Sequence, residues 1–217
     1  LTNPNKSLLV LVVDRSGSMA TNNFHLEMEV ALKSLIEDQK KEPGYCELYV
    51  AQFDDQYLVT YDGNLQNAHA VNITPRGSTA MLGAIGKTIT DVGNKLSRLP
   101  ESERPGHVVV AIITDGYENH SKYEEWSKPY DSYEKIKYMI DHQTEKYGWN
   151  FTYLGANQDA ITVGAKLGVA YAGTMTYAPT SAGSASASAS LGAYTSTVRS
   201  GGQGQYTNSQ RKGAMAS

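Results

Sequence analysis

Two uninterrupted apolar runs, each ending in an aspartate, constrain this chain most. Ser7–Asp14 and His107–Thr114, the latter followed by Asp115, alternate with nothing polar, which is how a strand covered on both faces reads. Their apolar cores, Leu8–Val13 and Val108–Ile113, fall far short of the roughly 18 residues needed to cross a bilayer, so no membrane insertion is expected. Between and after them, strand-like and helix-like stretches take turns. Helical recurrence marks Phe24–Lys41, stopped by Pro43-Gly44, and Ala80–Leu99, with Met81, Leu82, Ile85, Ile89, Val92 and Leu96 on one side. Tyr133–Tyr147 and Asp159–Leu167 read as further helices. Tyr45–Phe53, Gln56–Tyr61, His69–Ile73, Asn150–Leu154 and Val169–Tyr177 read as strands, with Asp62-Gly63 in a turn. This order predicts an α/β chain with a doubly wound, mostly parallel central sheet flanked by helices.

Composition divides the 217 residues in two. The whole carries 19 Lys+Arg against 22 Asp+Glu, and this net −3 gives no pull toward nucleic acid. From Thr180 onward there is no acidic residue and three basic ones, leaving the body 1–179 at −6. Ser, Ala and Gly supply 22 of these last 38 residues, so 180–217 is expected to be a low-complexity tail, with a docking helix near 191–199 formed by Leu191, Tyr194 and Val198. The lone Cys46 excludes an internal disulfide framework and reads as a small buried apolar residue.

In open α/β sheets, ligands sit beyond the carboxyl ends of the strands, near the point where strand order reverses. Three loops carry oxygen donors to that edge: Asp14-Arg15-Ser16-Gly17-Ser18-Met19, Pro75-Arg76-Gly77-Ser78-Thr79-Ala80, and Ile113-Thr114-Asp115-Gly116. Any one could be a helix cap or turn. Together they offer two carboxylates and three hydroxyls, a hard-oxygen set suited to Mg²⁺, Ca²⁺ or Mn²⁺. Asp54 and Asp55 read as a solvated turn, and the five histidines show no ligand spacing. The aromatics crowding the segment after Asp115 (Tyr117, Tyr123, Trp126, Tyr130, Tyr133) are either a contact surface or the packing of a long loop.

Asp14-x-Ser16-x-Ser18, Thr79 and Asp115 resemble, position by position, the metal-ion-dependent adhesion site of von Willebrand factor A domains, and the flanking residues resemble bacterial or phage-borne members. Tyr153-Leu154-Gly155-Ala156-Asn157-Gln158-Asp159-Ala160 is similar to the same branch. The resemblance spans about residues 7–177, and it departs at Gly83, where many relatives have Asp. It implies an ion held directly by Ser16, Ser18 and Thr79, with Asp14 and Asp115 acting largely through water. It also implies a protein partner whose Asp or Glu carboxylate completes the shell. From their place in the sequence after Asp115, Tyr117, Glu118, Asn119 and His120 are the expected partner-binding rim.

A structural subunit docking through its tail, with the metal stabilising the fold, is the first alternative. An Mg²⁺-dependent phosphatase is the second, and the residues disfavour an enzyme. Position 16 is Ser where an aspartyl-phosphate enzyme needs a second carboxylate, and neither a nucleotide-binding loop nor a hydrolase elbow occurs. The chain starts at Leu1 rather than Met, and its expected setting is cytoplasmic, or a phage particle if phage-borne.

Overall fold

The computed structural model describes residues 1–156 and 158–215. Asn157, quoted above for the resemblance, and the last two tail residues lie outside the described residues. The apolar run forms β1 (Asn3–Asp14), and a short 3-10 stretch leads into α1 (Phe24–Lys41). Then come β2 (Tyr45–Phe53), β3 (Tyr57–Asn64), α2 (Met81–Ser97), β4 (Pro105–Thr114), α3 (Tyr133–Tyr147), β5 (Asn150–Ala156), α4 (Ala160–Leu167) and β6 (Thr174–Tyr177). α5 (Ser181–Arg199) and α6 (Asn208–Ala214) complete the chain.

The six strands make one sheet in the order β3-β2-β1-β4-β5-β6, parallel except for β3 against β2. Strand order reverses between β1 and β4, so the ends of these two strands, at Asp14 and Thr114, open the crevice. The pleat divides the apolar side chains between two cores. Leu9, Leu11, Val13, Val109, Ala111 and Ile113 face α1 and α5. Leu8, Val10, Val12, Val108, Val110 and Ile112 face α2, α3 and α4. Among the described residues, no helix is long and apolar enough to cross a membrane.

Four stretches differ from the sequence-based expectation. Residues 69–73 form no strand. They cross the α1 side of the sheet with Val71 and Ile73 buried, their backbone bonded to side chains: Ile73 N donates to Glu29 at 2.6 Å, and Gln52 Nε2 donates to Asn72 O at 2.9 Å. Asp62 and Gly63 belong to β3 rather than a turn, and the last strand begins only at Thr174, after a 3-10 turn at Tyr171–Gly173. Finally, α5 begins ten residues before the expected docking helix. Its Ser, Ala and Gly side chains let it lie close along α1. Ser188 Oγ donates to Ala31 O at 2.6 Å, Gln39 Nε2 donates to Gly192 O at 3.0 Å, and Leu191, Tyr194 and Val198 are buried.

Candidate metal centre

Asp14 ends β1 in full burial, and two donors fix its carboxylate: Ser16 N at 2.7 Å on Oδ1 and Thr114 Oγ1 at 2.5 Å on Oδ2. The first is an Asx-type turn that reverses the chain after the strand. The second joins the two strand ends across the crevice. Ser18 Oγ donates to Asp115 Oδ1 at 2.7 Å and lies 3.1 Å from Ser16 Oγ. A hydroxyl has one proton, and that of Ser18 is committed to Asp115, so Ser16 is the donor within the serine pair.

Thr79 reaches the same place from the third loop. The point where a side chain on Gly116 would begin lies 3.5 Å from Thr79 Oγ1, 3.7 Å from Ser18 Oγ and 4.0 Å from Asp14 Oδ2. Oxygens of two loops thus face one small space beside Gly116 of the Asp115 loop. The five residues expected at the site are brought together.

Charge supports a cation there. Burial pushes the Asp14 carboxyl up to about 6, and it also raises that of Asp115. The basic residues on these loops, Arg15 and Arg76, are turned to Asp54, and neither Asp14 nor Asp115 has a basic partner among the described residues. Two buried carboxylates without a protein cation favour an ion from outside. Among the described residues no three His, Cys, Asp or Glu side chains cluster, so hydroxyls must share in any coordination here. With Ser18 donating to Asp115 and accepting from Ser16, one lone pair of Ser18 is left for a cation, and the carboxylate polarises it. The donor set fits a hard divalent ion.

The rim residues divide. Glu118 turns inward and accepts from Leu82 N (2.7 Å), which satisfies one free amide at the start of α2, and from Ser121 Oγ (2.7 Å), Ser121 N (2.6 Å) and His120 N (2.8 Å) in its own segment. Asn119 is exposed, yet its Oδ1 accepts from Thr79 N at 2.8 Å and its own N donates to Thr79 O. Tyr117 is exposed, and His120 pairs with Glu124 at 2.9 Å and packs on exposed Tyr123. Trp126 and Tyr130 pack the loop: Trp126 Nε1 donates to Asp55 O, and the Tyr130 ring covers Gly86.

Several supporting residues carry no local sequence signal. Thr114 bonds Asp14, and Gln158 donates from Nε2 to Gly116 O at 3.1 Å while its Oε1 accepts from Tyr153 Oη at 2.9 Å. Asp54 is not in a solvated turn; it is fully buried against two arginines.

The geometry agrees with comparisons to known proteins. The model of the von Willebrand factor type A domain matches residues 9–140, more than half of the chain. No match was found among curated proteins. Among solved structures, proximal thread matrix protein 1 from the mussel byssus is 14% identical with a TM-score of 0.58, over 90% of this chain and 48% of its own. This chain therefore spans about half the length of that protein. The same byssus protein with a zinc-occupied MIDAS motif matches at 14% identity and a TM-score of 0.52, over 83% of this chain and 43% of that one. The vWF domain of the type V pili tip protein Mfa5 from Porphyromonas gingivalis is 12% identical with a TM-score of 0.58, over 96% and 99%. At these identities the likeness concerns the fold. With the family model's match, it places the chain in the von Willebrand factor type A domain family.

Proposed function

We propose that this domain binds a partner protein through a divalent cation, Mg²⁺, Ca²⁺ or Mn²⁺, held at Asp14, Ser16, Ser18, Thr79 and Asp115. The carrying observation is the convergence of Thr79, Ser18 and Asp14 oxygens on the space beside Gly116, with two buried carboxylates that no basic residue balances. Ser16, Ser18 and Thr79 would supply neutral oxygens, and Asp14 and Asp115 would hold bound water and the hydroxyls in place. An ion so held keeps part of its charge for an anionic oxygen from outside, and an Asp or Glu carboxylate of the partner supplies one. Domains of this family are protein-interaction modules, and the zinc-occupied motif of the byssus protein supports a metal at the equivalent motif here. Exposed Tyr117 and Tyr123, with half-buried His120, offer the partner an aromatic border.

The test is calorimetric titration of Mg²⁺, Ca²⁺ and Mn²⁺, followed by partner affinity with the ion and in EDTA. We expect saturable one-site binding that Asp14→Ala abolishes while the domain stays folded, and partner affinity lost in EDTA. Partner affinity unchanged by EDTA would overturn the metal bridge, and normal ion affinity in Asp14→Ala would overturn the site.

A further inference from the structure

We infer that Asp54, which lies outside the ion's ligand set, is the positioning residue that sets the distance between the two hydroxyl-bearing loops. This inference rests on the ion-binding reading above. Asp54 follows β2 and is fully buried. Its Oδ1 accepts from Gln56 N at 2.5 Å, which fixes the carboxylate within its own turn. Its Oδ2 lies 2.9 Å from Arg15 Nε and 3.2 Å from Arg76 Nε. Arg15 stands between Asp14 and Ser16, and Arg76 stands three residues before Thr79. One buried carboxylate therefore holds a cation from each loop.

The backbone repeats the arrangement. Arg15 N donates to Phe53 O, Ala80 N to Asp54 O, Arg76 N to Arg15 O and Gly17 N to Gly77 O, at 2.8 to 3.1 Å. The outer nitrogens of Arg76 grip the same turn, at Gln56 Oε1 (2.8 Å) and Asp55 Oδ1 (3.0 Å). Gly77, at φ +65°, presses so close that an added β-carbon would lie 2.9 Å from the Asp55 carboxyl. The loop carrying Asp115 reaches the turn as well, through Trp126 Nε1 on Asp55 O at 3.0 Å. All three site loops are thus cast against residues 54–56.

Neutralising Asp54 leaves two guanidinium groups facing one another beside an amide. Their repulsion separates the loops, and a small ion such as Mg²⁺ tolerates little change in ligand distance. Positioning and simple through-space attraction predict opposite signs for the arginines. Removing a positive charge near a cation should tighten its binding if charge alone matters, and should weaken it if the arginine holds a loop.

Calorimetry with MgCl₂, together with the rise in Tm that Mg²⁺ produces, reads this in the full chain. A loss of general stability lowers Tm with and without the ion and leaves their difference intact. We expect Asp54→Asn and Arg15→Gln each to lower Mg²⁺ affinity at least tenfold and to shrink the Mg²⁺-dependent rise in Tm. Wild-type affinity in Asp54→Asn, or tighter binding in Arg15→Gln, would overturn the inference and leave the ion reading standing. A wild-type chain that binds no Mg²⁺, Ca²⁺ or Mn²⁺ would overturn both. Should Asp54→Asn fail to fold, Arg76→Gln, whose side chain is 43% exposed, carries the test: a threefold or greater loss supports the inference, and no loss overturns it.

Discussion

Asp14 carries a charge that the protein itself does not balance. It is fully buried, its partners are the Ser16 amide and the neutral hydroxyls of Ser16 and Thr114, and its carboxyl is pushed up to about 6 from the ordinary 3.8. A raised folded value means the folded chain binds that proton more tightly than the unfolded chain. The linked stability is complete below about pH 3.8 and is lost as pH rises through about 6. In EDTA, this group alone should make the protein more stable at pH 5 than at pH 7 by about 1 kcal/mol. Asp14→Asn removes that contribution, so the variant should show a flatter pH dependence and exceed the wild type in metal-free stability at pH 7. Urea unfolding in EDTA at the two pH values checks both, and an unchanged pH slope in Asp14→Asn would exclude this account. The residue proposed to hold the ion is thus a liability without it. Asp14 and its four companions were legible in the sequence because they follow buried strands or open a helix, where chain direction alone sends them to one edge. Asp54 was not. Beside Asp55 it looks like any hydrophilic turn, and only the arrival of Arg15 and Arg76 from other loops makes it a buried ion pair.

Close approach decides what happens at the level of elements. α2 reads from its periodicity as an amphipathic helix, and Met81, Leu82, Ile85, Ile89, Val92 and Leu96 are its buried residues as expected. Its glycines have a reason that periodicity cannot show. An added β-carbon on Gly83 would lie 2.2 Å from Ser127 Cβ, because the segment after Asp115 folds back over the start of the helix. Glycine at this position makes room for that segment. Gly83 N also donates to Ser121 Oγ, so the helix end and the segment are bonded as well as packed. On propensity alone, Gly83→Ala should stabilise the helix by roughly 1 kcal/mol. We expect the opposite, a loss of about 1–3 kcal/mol from overpacking, measured by urea unfolding. A more stable Gly83→Ala would show that the segment yields freely. For α5 the misleading signal was composition. A run of Ser, Ala and Gly reads as linker because it has little apolar area, yet the same small side chains let the helix lie near α1, where a β-carbon added at Gly192 would lie 3.6 Å from Leu35 Cδ1 and Ser188 bonds the Ala31 carbonyl. Low complexity here describes a helix whose partner is supplied by the fold.

Over the whole molecule, the consequence is that the sheet needs the C-terminal segment to cover one of its faces. Leu191, Tyr194, Val198 and Tyr206 belong to the same core as Leu9, Leu11, Val13 and α1, and Tyr206 Oη meets Thr152 Oγ1 at 2.6 Å. α6 closes the far edge: Ala178 N donates to Ala214 O, Tyr206 N donates to Ala172 O, and Arg211 bonds the carbonyl of Tyr171 at 2.9 Å beside β6. A boundary at Thr180, the place where charge and composition change, would therefore cut through the core. At about 1.5–3 kcal/mol for each large side chain fully buried, the four residues contribute ~6–12 kcal/mol. Total stabilities of about 5–15 kcal/mol leave little margin for that loss. A chain ended at residue 179 should lack a cooperative unfolding transition and should expose apolar surface, measurable by calorimetry and dye binding. Retained cooperativity with wild-type Mg²⁺ affinity in that chain would show that residues 1–179 fold alone and that the tail is an appendage. The change in composition marks how the last helices are built, and they share a core with β1 and α1.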